Sequence, residues 1–190
     1  MYIYSSYDFD GSRDMSRALL AKAFDHCMND FATPETAQLG ITGRQLVQLI
    51  ETGEHGKPYI EDFLSFSVSH TGNAWAVLIA TEDCGLDIQF PKPCRNMDRI
   101  SEKYYTEEEQ QMIAEEGEEA FWKIWTRREA AIKAVGATVV SSVPDVTGES
   151  VVIDGVEYWL SEVELLGAAE IPYGAMCTRE EPKAIHYFRL

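Results

Sequence analysis

The sequence predicts an α+β protein built as two pseudo-symmetric α+β lobes, on three observations. First, Phe121 to Gly136, FWKIWTRREAAIKAVG, carries apolar side chains at the spacing of an amphipathic helix. Trp122, Trp125 and Ile132 form one stripe, and Phe121, Ile124 and Val135 widen it. Second, between Phe63 and Phe90 the apolar period falls to two, the period of strands. Third, the order strand, helix, strands recurs as helix, strands in the second half. A chain of 190 residues suits two small lobes sharing a core, placed here at 1–84 and 85–190.

Taken in order, Tyr2 to Tyr7 reads as a strand. Ser12 to Phe31 reads as a helix, with Met15, Leu19, Leu20, Ala23, Phe24, Cys27 and Met28 at helical spacing and Thr33-Pro34 as its stop. Thr42 is an N-cap candidate for a shorter helix bearing Leu46, Val47, Leu49 and Ile50. Gly53 and Gly56 open a turn into Lys57-Pro58. In the next strand Leu64, Phe66, Val68 and His70 share one face, and Ser65, Ser67 and Ser69 share the other. Thr71-Gly72-Asn73 turns into the almost wholly apolar run Ala74 to Ala80. A third strand, Cys84 to Phe90, points Leu86, Ile88 and Phe90 one way and Asp87 and Gln89 the other. Pro91 to Pro93 interrupts the sheet. Thr106 and Glu109 form a capping box for an acidic helix that Gly117 separates from the helix beginning near Phe121. Asp154-Gly155 between Val151 to Ile153 and Val156 to Leu160 predicts a hairpin, and strands are expected near Ile171 to Thr178 and Ala184 to Arg189.

The formal net charge of -16 excludes an ordinary nucleic-acid binder, since no basic tract exists to displace counterions from phosphates. An anionic substrate must instead meet local cations or a metal. Cys27, Cys84, Cys94 and Cys177 are dispersed and form no CxxC pair, which predicts reduced thiols in a cytoplasmic protein. The start has neither basic region nor apolar run, so no leader is expected, and no apolar segment is long enough to span a bilayer.

Glu129 sits inside the aromatic stripe, four residues after Trp125, with Lys133 one turn later. A carboxylate there is costly unless something cationic meets it. Asp87, Gln89 and Glu129 would supply oxygen ligands from one strand face and one helix, a set that Mg²⁺ accepts while keeping room for waters and phosphate oxygens. The plainer alternatives are a solvated Asp87 and a Glu129–Lys133 ion pair. His70 ends a strand just before Thr71-Gly72, where turns present N–H groups to anions; otherwise it is a polar cap. Lys57 and Arg17 by default are solvated cations.

In order, Gly56-Lys57-Pro58, Ser67-Val68-Ser69-His70-Thr71-Gly72, Gly85-Leu86-Asp87-Ile88, Tyr104-Tyr105-Thr106-Glu107-Glu108-Glu109 and Phe121 to Ala134 resemble the 4′-phosphopantetheinyl transferases of the two-lobed, surfactin-synthetase-activating type. The resemblance covers about Gly56 to Gly136. It implies a monomer with its site in the cleft between the lobes, moving the phosphopantetheine arm of coenzyme A onto a serine of an apo acyl, polyketide or peptidyl carrier protein. It implies Asp87 and Glu129 as Mg²⁺ ligands and Lys133 beside the reacting phosphates. Lys57, Pro58, Ser69 and His70 would contact coenzyme A, and Arg17 would meet its nucleotide.

The sequence departs from the family pattern where Gln89 stands for a frequent glutamate, where Arg128 stands for a frequent lysine, and in a shorter segment before Arg17. Two carboxylates plus water are then expected to hold the ion. Two other readings stay open: a catalytically impaired coenzyme A- or carrier-protein-binding module, and a structural protein whose Glu129 and Lys133 merely pair. Carrier proteins are typically acidic, as is this chain, so docking is expected to be apolar, along Phe90 to Met112.

Overall fold

The computed structural model describes residues 1–31, 40–53, 55–136, 143–165, 167 and 170–190. Strand β1 (Tyr2–Ser6) leads into helix α1 (Arg13–Phe31) and the short helix α2 (Gly43–Gln48). The expected helix stop at Thr33-Pro34 lies outside the described residues. The capping residue of α2 is Thr42: its hydroxyl accepts from the Gln45 N–H, and the Gln45 side chain accepts from the Thr42 N–H at 2.9 Å. Two-residue strands β2 (Glu51–Thr52) and β3 (Pro58–Tyr59) flank the Gly53 to Gly56 turn. Strands β4 (Ser65–Thr71), β5 (Ala74–Ala80) and β6 (Cys84–Gln89) follow.

Helix α3 (Met97–Tyr104) comes next, which the sequence reading left out. Met97, Ile100 and Tyr104 recur at helical spacing there and pack on the core, but the exposed cations between them dilute the stripe. Helices α4 (Glu107–Glu116) and α5 (Glu118–Val135) precede β7 (Ser150–Ile153), β8 (Val156–Glu162), β9 (Tyr173–Thr178) and β10 (His186–Arg189). The β7–β8 turn has Asp154 and Gly155 at φ 51° and 78°, the paired positive angles that match a hairpin's twist and that Asp-Gly tolerates.

Two four-stranded sheets result, ordered β10-β1-β5-β4 and β6-β9-β8-β7. The chain changes sheets between Ala80 and Cys84, and we propose 1–84 and 85–190 as the two lobes on that basis. Strand β10 crosses back and pairs in parallel with β1, Tyr2 opposite His186, so the last strand of the second segment belongs to the first sheet. A local pattern does not reveal this pairing of the two chain ends.

The layers run helix, sheet, sheet, helix. Leu19, Leu20, Ala23 and Phe24 of α1 pack on Tyr4, Phe66, Trp75, Val77 and Ile79 of the first sheet. That sheet's other face, through Ile3, Ala76 and Leu78, meets Leu86, Ile88 and Met176 of the second. Phe121, Ile124, Ala131 and Ile132 of α5 cover the far face with Val151, Leu160 and Ala175. Buried on both faces, β5 is accordingly apolar throughout. Helix α5 lies so close to β6 that a Cβ on Gly85 would come within 1.9 Å of the Ala130 carbonyl oxygen, which only glycine avoids. No helix among the described residues is long and apolar enough to cross a membrane.

Candidate active site

The close crossing at Gly85 brings the side chains of α5 onto the edge of β6, beside β4 of the other sheet. Ser69 and His70 from β4, Asp87 and Gln89 from β6, and Trp125, Glu129 and Lys133 from α5 line one cleft of about 290 Å³. Six of the residues expected at the site thus meet at the junction of the two sheets.

Lys133 does not pair with Glu129. Its ammonium donates to Asp87 Oδ1 at 2.6 Å and to the Leu86 carbonyl at 3.0 Å, because α5 lies near enough to β6 for a lysine to reach the strand. The expected alternative, an ion pair along the helix, is therefore not formed. Asp87 Oδ1 also accepts the Ser69 hydroxyl at 2.9 Å, while Asp87 Oδ2 accepts from none of the described residues. Glu129 makes no hydrogen bond or ion pair with the described residues. Its carboxyl is held above the usual carboxylate value of 4.5, first by burial and then by the facing charge of Asp87, against which Lys133 acts in part.

Gln89 donates through Nε2 to Thr71 Oγ1 at 3.1 Å and to the Phe90 carbonyl at 2.7 Å. Its carbonyl oxygen accepts from none of the described residues. Among the described residues no cluster of three or more His, Cys, Asp or Glu side chains could hold a metal. Two carboxylates and an amide oxygen, all hard donors, nevertheless suit Mg²⁺, which is commonly held by one or two carboxylates and completed by water and substrate phosphates. A half-buried carboxylate left facing another is the donor set such a cation would neutralise.

His70 is exposed, its ring 5.1 Å from that of Phe9. The Ser69 hydroxyl is buried and engaged by Asp87 and by the Ile88 N–H, so it is not turned outward to a ligand. A second recess of about 240 Å³ shares Val68 and Lys133 with the cleft and is bounded by Lys57, Pro58 and Gly136. It shares Lys57, Pro58 and Gly136 in turn with a recess of about 540 Å³ reaching Phe63 and Asp83. Lys57 donates to the Ala134 carbonyl at 2.5 Å, near the end of α5, and pairs with Asp83 at 3.3 Å. Arg17 lines none of these recesses. Its guanidinium donates to the Val47 carbonyl at 2.8 Å and ties α1 to α2.

Sequence reasoning missed what holds α5 in place. Arg128 and Glu109 are 1 % and 0 % exposed and joined by a forked ion pair with N–O distances down to 2.6 Å. Glu109 also accepts from the Thr106 and Val146 N–H groups, and Arg128 donates to the Val143 carbonyl. The Arg128 guanidinium lies 5.1 Å from the Tyr105 ring centroid. The signal was present as the capping-box glutamate of α4, but a helix-capping role hides a second, buried one.

Residues 83–152, which contain Asp87, Gln89, Glu109, Arg128, Glu129 and Lys133, match the model of the 4′-phosphopantetheinyl transferase superfamily. The 4′-phosphopantetheinyl transferase AcpT of Salmonella typhimurium is 37 % identical over 93 residues, 45 % of this chain and 48 % of that protein. The 4′-phosphopantetheinyl transferase HetI of Nostoc sp. is 25 % identical over 132 residues, 57 % of this chain and 56 % of its own length. The 4′-phosphopantetheinyl transferase gsp of Aneurinibacillus migulanus is 27 % identical over 93 residues, 46 % of this chain and 38 % of that protein. The chain thus spans about half the length of the curated relatives it matches, or less. The helix-crossed strand and the two carboxylates of the cleft thus lie in a segment that is similar to the 4′-phosphopantetheinyl transferase superfamily.

Proposed function

We propose that the protein transfers the 4′-phosphopantetheine group of coenzyme A to a serine of an apo acyl, polyketide or peptidyl carrier protein, releasing 3′,5′-ADP. The observation that carries this reading is Glu129, half-buried and unpaired among the described residues, facing Asp87 in a cleft at the junction of the two sheets. Asp87 and Glu129, with Gln89 beside them, would hold Mg²⁺, which when bound would neutralise the diphosphate and align its β-phosphorus.

The chain's own groups support the rest. Lys133 spends two N–H donors on Asp87 and Leu86 and keeps a third for the charge that develops on the departing nucleotide phosphate. Glu129, its affinity for a proton raised by burial, accepts the proton of the carrier serine directly or through water. Exposed His70 offers a charge-assisted hydrogen bond to the 3′-phosphate, with Lys57 and Pro58 walling the neighbouring recess. We take the protein to act as a cytoplasmic monomer, in keeping with its four free cysteines.

The docking expectation needs correction. Cys94, Met97, Ile100, Tyr104 and Met112 are packed against the core of the second lobe, because the apolar stripe of α3 turns inward. What this segment shows to solvent is charged and mixed: Lys92, Arg95, Arg99 and Lys103 beside Asp98, Glu102, Glu107 and Glu108. We therefore propose that acidic carriers are met between Lys92 and Lys103, where the four exposed cations outnumber the carboxylates Asp98 and Glu102 in an otherwise acidic protein. The rate at limiting carrier should fall as salt is added, and Arg99→Glu should raise the KM for carrier by roughly five-fold with kcat unchanged. A salt-independent KM would remove this docking mode.

Full-length protein incubated with coenzyme A, Mg²⁺ and a panel of apo carriers should give the mass gain of one phosphopantetheine on at least one carrier. If coenzyme A binds and every carrier stays unmodified, the chain is instead a catalytically impaired binding module. The neutral Gln89 and the Lys133–Asp87 pair would be the features behind that outcome.

A further inference from the structure

The edge strands β4 and β6 belong to different sheets, and side-chain hydroxyls join them. Ser67 Oγ accepts the Leu86 N–H at 2.9 Å, Ser69 Oγ accepts the Ile88 N–H at 3.1 Å, and Thr71 Oγ1 accepts the Phe90 N–H at 3.2 Å. The three acceptors alternate along β4, and the three donors alternate along β6 and the residue just past its end, so the seam keeps one register. These hydroxyl residues are 5 %, 5 % and 4 % exposed. Each seals a backbone N–H that an unpaired strand edge would otherwise bury without a partner.

Ser69 differs from its two neighbours. A backbone N–H can only donate, so Ser69 Oγ accepts from Ile88 and has one proton left, which goes to Asp87 Oδ1 at 2.9 Å. With Lys133 on the same oxygen, Oδ1 carries two donors and Oδ2 none among the described residues. Neither Ser67 nor Thr71 donates to a cleft carboxylate. We infer that Ser69 is a positioning residue that acts through Asp87: it fixes the carboxylate so that one oxygen is held by the protein and the other is left for a cation. The resemblance places Ser69 against coenzyme A, but a buried hydroxyl with both roles taken does not act by touching substrate. This inference rests on the reading of Asp87 and Glu129 as cation ligands.

The test compares Ser69→Ala, Ser69→Thr and Ser67→Ala in the full chain. Mn²⁺ affinity is read from the paramagnetic signal of the free ion, and coenzyme A affinity is read calorimetrically with divalent ions chelated. Both alanine variants lose one seam acceptor for a β6 N–H, so any consequence of that loss is common to the two. Ser69→Ala should weaken Mn²⁺ binding about ten-fold, as loss of an outer partner of a ligand commonly does, and leave metal-free coenzyme A affinity within about two-fold. Ser69→Thr should restore Mn²⁺ binding, and Ser67→Ala should leave it unchanged. Equal weakening of Mn²⁺ binding by both alanine variants would reduce Ser69 to a seam residue and overturn the inference. A loss of coenzyme A affinity with Mn²⁺ binding intact would make Ser69 a substrate contact and overturn it too. A wild-type protein that binds no Mn²⁺ would end the cation-site reading, and the inference with it.

Discussion

Glu129→Gln is expected to lower phosphopantetheine transfer by about 10²- to 10⁴-fold while leaving the protein at least as thermally stable at neutral pH. The two halves of this result come from one fact. Glu129 is half-buried, faces Asp87, and has no hydrogen bond or ion pair among the described residues, so its ionised form is disfavoured by the fold. Glutamine keeps the shape and removes both the desolvation cost and the like charge, but it cannot take a proton. The sign of the pH dependence follows. A carboxyl whose folded-state value is raised above 4.5 contributes stability that is fully present below 4.5 and is lost as pH rises through the raised value. The variant has no such loss, so its advantage in melting temperature should be absent in acid and present at pH above that window, in metal-free buffer. Melts at both ends of the range, with the carrier-modification assay, measure the two halves. A variant retaining transfer within ten-fold of wild type would remove Glu129 from the chemistry.

Much of the molecule was legible because local patterns have local causes. The α5 stripe, the Asp154-Gly155 hairpin and the capping boxes at Thr42 and Thr106 each depend on residues within a turn or two of one another. The convergence of Asp87 and Glu129 was also anticipated, although their separation in sequence gave no physical reason for it beyond the resemblance. Choices among distant partners stayed hidden. Lys133 has a plausible helical partner in Glu129 and takes Asp87, which only the glycine crossing makes reachable. The alternation in β4 shows two faces, but the serine face lies buried between sheets while His70 on the other face is exposed. Arg17 carries a charge that spacing cannot assign, and it went to a helix-end carbonyl.

The largest expected loss of stability lies at Glu109 and Arg128, one residue before the proposed base. Either Glu109→Gln or Arg128→Met should cost about 3–5 kcal/mol, because each leaves a buried charge without its counter-ion. For a chain of this length that is a fall in melting temperature of roughly 6–20 °C. The double variant Glu109→Leu/Arg128→Met should be less damaging than either single one, since no isolated charge remains in the core and the apolar replacements can pack against Tyr105. A cost below about 1 kcal/mol for the single variants would mean that the pair behaves like a surface ion pair in spite of its burial. The same variants separate stability from aim. Arg128 ties α5 to α4 through Glu109 and to the segment beyond the helix through the Val143 carbonyl, so it fixes the rotation of the helix that carries Glu129. Assayed well below its melting temperature, the double variant should therefore keep its fold and still lose part of its transfer activity, because α5 stays packed but loses the polar ties that set the aim of Glu129 at Asp87.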